Sequence, residues 1–470
     1  MISWKPESIS KRKLYRSVFL PIALGLILGA TFSCKNQPPP RNIILMIVDG
    51  CGYNCFDMTS LYQHGKTGSQ VYDSFPIKYS VSTSSASSPP YDPEKAWASF
   101  NFVLDDPTDS AAAATAMASG VKTTDYYVGL DSDGKRLETI IDLAESMGLK
   151  TGVVTTVPYC HATPASFLAH MDSRYKYAPI ASQIIYESPI DVIMGCGHPF
   201  FDKFGQPSEE PNFRYFSDKN TWEALINGWA GADADGDGIS DPWTVIQTRE
   251  EFRALATGST PPRVFGIVQN LSTTQQGRPG NGQAPPFEVP FIQSVPSLDE
   301  MALAALNLLD NDPEGFLLVI EGGAVDWASE DNQAGRMIEE QISFNEATRA
   351  VVTWIETHSN WEETLLIVTS DHETGYITGP GSGILGQNLV ANNIWNPISS
   401  NGKGKIPGME WHSVDHSNSL VPLFAKGVGS EKFSEFANET DPIHGLFLDN
   451  TEIGRLIMGI LEEKRIQKID

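Results

Sequence analysis

The strongest constraint in this chain is a series of continuous apolar runs, each four to seven residues long, separated by stretches with helical spacing. The first, Asn42 to Val48, is β-rich and stops at Asp49-Gly50. An uninterrupted apolar run ending in an acid and a glycine suits a strand covered on both faces, with the carboxylate presented at its C-terminal end. Thr151–Thr156, Asp191–Met194, Val264–Val268, Phe316–Ile320 and Leu365–Thr369 read the same way. Leu137–Met147, Leu298–Leu309 and Arg336–Trp354 carry helical periodicity. This alternation predicts an α/β fold, a mostly parallel sheet sandwiched by helices, with polar sites beyond the carboxyl ends of the strands. Residues 199–300, rich in Gly, Pro, Asn and Gln, are predicted to form a loop-rich insertion capping the sheet.

The segment before the first run does not read as part of the fold. Lys5, Lys11, Arg12, Lys13 and Arg16 precede an apolar stretch, Val18 to Phe32, that Pro21 interrupts and that ends at Ser33-Cys34. Residues 1–34 are therefore expected to be an export signal. Its end resembles a bacterial lipoprotein signal, which would make Cys34 a lipidation site and the protein a membrane-anchored one of the periplasm or cell surface, although Thr31 departs from the usual aliphatic residue. A plain cleaved signal or an uncleaved anchor is the alternative. Residues 35–41, with Pro38-Pro39-Pro40, form an extended tether, leaving 42–465 as one domain. Cys51, Cys55, Cys160 and Cys196 remain, with their pairing open.

The formal net charge of −25 argues against nucleic acid as a binding partner. It also requires that any anionic substrate meet a local concentration of positive charge. Ser110 opens an alanine-rich helical run closed by Gly120. Taken alone, it reads equally well as a nucleophile among free helix N–H groups or as an ordinary N-cap. Asp371-His372 follows a predicted strand, and Asp326 and Glu330 would share one helical face. Either pair by itself is ordinary surface.

Together, and in order, Ile-Val-Asp49-Gly, Asp109-Ser110-Ala, His161-Ala-Thr163-Pro, Arg174, Glu321-Gly-Gly-Ala-Val-Asp326, Asp371-His372 and His416-Ser-Asn resemble the alkaline phosphatase family from residue 42 to about 460. The resemblance implies hydrolysis of small-molecule phosphate monoesters through a phosphoserine at Ser110, with Arg174 clamping the phosphoryl oxygens. It implies one zinc held by Asp49, Asp371 and His372, and a second held by Asp326, residue 330 and His416. A third metal, usually magnesium, would use Asp49, His161, Thr163 and Glu321. Two adjacent cations suit the chemistry because they can offset charge on both the attacking and leaving oxygens. A homodimer is common in the family, but no segment here points to an interface.

Three positions depart from or complicate the family pattern. His161, with Trp327 nearby, stands where some members have aspartate, which softens the third site. Glu330 stands where histidine is usual, and an oxygen ligand weakens selectivity for zinc. Asp331 could compete with it. His412 lies four residues before His416, which is favoured as the ligand. Separately, Asp233, Asp235, Asp237 and Asp241 alternate in the manner of a calcium loop, without the glutamate at position twelve. The competing readings are a phosphodiesterase of the same superfamily and a non-catalytic lipid-anchored binding protein.

Overall fold

The computed structural model describes residues 38–234, 236–385 and 392–469. Pro38–Asp470 forms one compact unit. The leader 1–34 with Cys34, residues 35–37 of the tether and Asp235 lie outside the described residues. Among the described residues no helix is long and apolar enough to cross a membrane.

The strands that matter here are β1 (Asn42–Val48), β2 (Ile77–Ser82), β3 (Lys150–Pro158), β4 (Val192–Cys196), β5 (Thr244–Ile246), β6 (Val264–Ile267), β7 (Phe316–Gly322), β8 (Thr364–Ser370), β9 (Glu373–Thr374), β10 (His416–Ser417), β11 (Val421–Gly427), β12 (Glu439–Asp441) and β13 (Gly445–Asp449). Eleven of them make one sheet in the order β12-β13-β2-β11-β8-β1-β7-β3-β4-β6-β5. From β8 to β5 all neighbours are parallel. At the other side β11 runs antiparallel to both β8 and β2. The sheet is thus mostly parallel, with a mixed edge.

The helices used below are α1 (Tyr53–His64), α2 (Ser110–Ser119), α3 (Ala162–Leu168), α4 (Leu298–Leu309), α5 (Ala324–Glu330), α6 (Ala334–His358) and α7 (Thr451–Ile469). They flank both faces of the sheet, and β1 records this in its alternation. Ile43, Leu45 and Ile47 enter one core with residues of α2 and α7, while Ile44, Met46 and Val48 enter another with residues of α4 and α6. That is why the run is apolar at every position. Each such side chain contributes about 1.5–3 kcal/mol of burial.

Residues 199–300 only partly match the expected capping loops. β5 and β6 complete the sheet edge, because Val264–Ile267 is fully buried and pairs with β4, and two short helices, Lys219–Ile226 and Arg249–Leu255, lie between long irregular stretches. Cys51 and Cys55 form a disulfide at the start of α1, a pairing the sequence left open. Cys160 and Cys196 are buried free thiols.

The acidic turn closes on itself. Asp233 accepts hydrogen bonds from the N–H groups of Gly236 and Gly238, Asp237 from Ile239, and Asp241 from Ala234.

Candidate active site

Register brings the acids together. β1 pairs with β8 and β7 so that Val48 stands beside Ser370 and Gly322, and Asp49 and Asp371 follow directly at two adjacent strand ends. Glu321, the penultimate residue of β7, pairs with Ile47 on one side and Thr155 of β3 on the other. Thr155 donates its hydroxyl to the Glu321 carboxylate. The chain then turns at Gly50, whose N–H donates to Asp371 Oδ1 at 3.1 Å. Gly50 has φ +75°, and a Cβ there would lie 2.7 Å from the Asp326 Cα. Only glycine lets β1 and α5 approach this closely.

Ser110 is the first residue of α2, not its cap. Asp109 caps the helix, its carboxylate accepting from Ala111 N–H at 3.2 Å and Ala112 N–H at 3.0 Å. The same carboxylate accepts from Tyr126 N–H at 2.8 Å and from Arg174 Nη1 at 3.0 Å. A single buried acid therefore fixes the helix start and the arginine, and leaves the Ser110 hydroxyl free for other work. Alanines let α2 pack closely on α3, where Ser166 donates to the Ala111 carbonyl at 3.1 Å. Ser110 Oγ lies 3.1 Å from His372 Nε2.

Two sets of three ligand atoms converge, Asp49–Asp371–His372 and Asp326–His372–His416, each within 4.8 Å. The His372 and His416 rings stack at 3.6 Å. His416 Nδ1 donates to the Thr108 carbonyl at 2.8 Å, which leaves Nε2 facing Asp326 Oδ1 at 3.6 Å. Thr374 donates its hydroxyl to Asp326 Oδ1 at 2.5 Å. Glu330 sits at the last residue of α5, one turn beyond Asp326 as the spacing predicts. Its Oε1 is 3.9 Å from His416 Nε2, but 47% of its side chain remains exposed. The tight trio around Asp326 thus includes His372 rather than Glu330. Asp331 is turned toward Gln276 and Gln333, and His412 hydrogen-bonds Thr378 at 2.7 Å and packs on Phe100, so neither joins the cluster.

His161, Thr163 and Glu321 are all buried at the third position. His161 Nδ1 and Glu321 Oε1 have no hydrogen-bond partner, and neither do Asp49 Oδ1 and Asp371 Oδ2. The His161 ring meets Trp327 edge-on at 5.3 Å.

Electrostatics point the same way. Burial, and then the neighbouring Asp371, Asp326 and Glu321, raise the Asp49 carboxyl well above the usual carboxylate range. Burial likewise pushes Asp371, Glu321 and Glu330 up to about 7. His372 and His161 are held well below the ordinary imidazole value, mainly by burial. Buried carboxylates crowded together with neutral imidazoles and orphaned oxygens form a donor set short of positive charge. The residues fit divalent cations.

The surrounding pocket, about 610 Å³, also includes Asp106, Asp125, Tyr126, Tyr175, Tyr177, Arg214 and Asp415. The sequence reading assigned roles to none of these, nor to Thr374, Thr155 or Asp109. Only Asp109 carried a usable signal, as an acid preceding a helical run.

A serine at a helix start, a buried arginine beside it and a carboxylate–imidazole cluster suited to metal, on a doubly covered sheet, are the features of a hydrolase site. The alkaline phosphatase family profile matches residues 40–400. The chain belongs to the alkaline phosphatase family, hydrolases acting on phosphate monoesters. It is 28% identical to alkaline phosphatase 3 of Bacillus subtilis over 76% of this chain and 67% of that one. With the alkaline phosphatase of Escherichia coli the identity is 26%, over 86% and 85%. The solved alkaline phosphatase of the Antarctic bacterium TAB5 is 25% identical, with a TM-score of 0.62 over 90% of this chain and 99% of that one. His416 lies beyond the matched stretch, and the fold returns it to the site.

Proposed function

We propose that this chain hydrolyses phosphate monoesters by two displacements through a phosphoserine at Ser110. The observation that carries the reading is the joint placement of Ser110 and Arg174 by Asp109, with Ser110 Oγ 3.1 Å from His372 Nε2. The residues that would hold metal are Asp49, Asp371 and His372 at the first position, Asp326, His416 and Glu330 at the second, and Asp49, His161, Thr163 and Glu321 at the third. When bound, zinc at the first two and magnesium at the third would offset charge on the attacking and leaving oxygens and lower the proton affinity of the nucleophile.

The chain's own residues do the positioning. Arg174 is buried and charged, because the Asp109 carboxylate outweighs the effect of burial and raises its pKa. One face of its guanidinium is tied to Asp109, and its Nε has no partner, so donors remain for phosphoryl oxygens. The α2 N-terminus adds the positive end of its dipole behind Ser110. Ser110 loses its proton and forms the Oγ–P bond as the P–O bond to the leaving group breaks; the departing oxygen takes up a proton. Water then attacks phosphorus from the face the leaving group vacated, opposite Oγ; the Oγ–P bond breaks, and Ser110 recovers its proton. The two inversions retain configuration. The leader over 1–34 and Cys34 extend the reading to an exported, lipid-anchored enzyme that releases phosphate outside the cytoplasm.

Purified protein lacking residues 1–34, loaded with zinc and magnesium, is expected to turn over p-nitrophenyl phosphate well and its bis-ester poorly. Ser110→Ala should lose at least about 10³-fold in kcat. Acid-quenched wild type should yield a phosphopeptide containing Ser110. Full monoesterase activity in Ser110→Ala, or a preference for the bis-ester, refutes the reading.

A further inference from the structure

A second cavity, about 340 Å³, shares no wall residue with the Ser110 pocket. Six rings line it: Tyr53, Tyr91, Trp97, Tyr376, Trp395 and His444. They come from five separate stretches of chain and are locked against one another. Tyr53 stacks on His444 at 4.2 Å, Trp97 meets Trp395 at 5.5 Å, and Trp395 donates its indole N–H to the Tyr376 hydroxyl at 2.9 Å. The space corresponds to roughly ten water molecules, too large for a packing defect. It opens beside Ile443, whose side chain is 66% exposed.

A carboxylate, Asp441, stands behind two of the rings. Neither lysine nor arginine lines the cavity. The Tyr91 hydroxyl and the Trp97 indole N–H both donate to Asp441 Oδ2 at 2.8 Å, while the N–H groups of Ile443 and His444 donate to Oδ1. Burial alone would raise the Asp441 carboxyl, but these hydrogen bonds outweigh it and keep it below the usual range. A full anion thus receives the polar hydrogens of two of the rings and leaves their faces richer in electrons, as a cation on those faces requires. His444 is held neutral, chiefly by burial. Glu373 also lines the wall.

The polar side chains of the wall are already engaged. Asn54 donates to the Ile377 carbonyl, Thr378 bonds His412, Asn396 donates to the Pro380 carbonyl, and Glu373 accepts from Ser417 and two backbone N–H groups. A sugar or a nucleobase edge would find few unused partners, and a phosphate would meet only negative charge. An alkylammonium ion needs neither, since ring faces and a buried carboxylate suffice.

We propose that this cavity is a second ligand site, specific for a small alkylammonium cation of the choline class, bounded by Tyr91, Trp97 and Trp395 with Asp441 behind the rings. It stands independently of the phosphomonoesterase reading. The test is calorimetric and fluorescence titration of the metal-loaded protein with choline chloride, in parallel with 3,3-dimethylbutan-1-ol, which has the same shape without the charge. Choline is expected to bind saturably and at least about tenfold more tightly than the alcohol. Trp97→Leu and Asp441→Asn should each weaken choline at least about fivefold and leave p-nitrophenyl phosphate turnover unchanged. Absence of saturable choline binding at tens of millimolar overturns the proposal, as does equal affinity for the alcohol. Choline binding that survives both substitutions also overturns it. Should Trp97→Leu fail to fold, Asp441→Asn, which preserves the shape and keeps one of the two acceptor oxygens, decides alone.

Discussion

Gly50→Ala offers the sharpest test of how the site is assembled. The new methyl would stand 2.7 Å from the Asp326 Cα and 2.8 Å from its Cβ, whereas contacts below 3.4 Å are already tight. Neither atom belongs to a flexible tip, so α5 must retreat by about 0.7 Å, the gap between those distances. Asp326 would move with it, away from Thr374 and His416, which now hold it at 2.5 and 3.6 Å. A displacement near 1 Å at a reacting centre costs on the order of 10²-fold in rate, so kcat/KM is expected to fall roughly 10- to 100-fold. Forcing alanine to φ +75° adds about 1–2 kcal/mol of strain. Gly120→Ala is the control, because Gly120 has φ +70° and its added methyl would press on Arg455 of α7, with Cγ at 2.8 Å and the backbone N at 3.3 Å, and not on a member of the cluster. That variant should lose similar stability and keep its kcat/KM. Steady-state kinetics with metal content measured on the same samples reads both. If Gly50→Ala stays within about twofold of wild type, or Gly120→Ala loses as much activity, the close approach of β1 and α5 does not position the site.

Two further outcomes follow from individual carboxylates. Glu330→His should raise zinc affinity by about tenfold or more and reduce occupancy by magnesium or manganese, measured by competition against a chelator; unchanged affinity would remove residue 330 from the ligand set. Glu340 lies buried on α6 with Oε1 unpartnered, and burial pushes its carboxyl up to about 7 from 4.5. The folded state therefore binds this proton more tightly than the unfolded chain, and stability is lost as pH rises from 4.5 to about 7 and then stays level. The gap amounts to about 3 kcal/mol. Glu340→Gln should accordingly gain thermal stability over wild type between pH 5 and 8 at constant metal loading, and a pH-independent difference would refute the assignment.

The parts of the fold that the sequence makes legible are those that water never touches. Phe316–Ile320 and Leu365–Thr369 read as strands because a doubly covered strand admits no polar residue to blur its ends, and the structure extends them only by the flanking residues Glu321-Gly322, Thr364 and Ser370. Glu321 escaped as a strand residue because charge argues against one, yet it is buried and paired on both sides. β2, β12 and β13 are short or polar and lie toward the mixed edge, where one-sided burial leaves no continuous run. Ser110 was ambiguous for a different reason. Two adjacent residues could cap α2, and only the fold gives Asp109 a second partner in Arg174 that selects it. The aromatic cavity left no trace in local sequence at all, since its rings meet only after five distant segments converge.

Charge ties these features together. Five carboxylates gather around Ser110, on a chain already carrying a net charge of −25, and the one buried arginine beside them is half neutralised by Asp109. Without added cations such a pocket would repel a dianionic ester before any chemistry began. Under the proposed reading, bound cations would serve recognition as much as reaction, and Glu330 would act on both at once, adding a carboxylate beside His416 while, as an oxygen donor, loosening the preference for zinc. The Glu330 carboxylate stands 3.9 Å from His416 Nε2 while 47% of its side chain remains exposed, so it lies where the cluster meets solvent. Under that reading, an ion held by Asp326 and His416 would set how much of this negative charge the substrate meets.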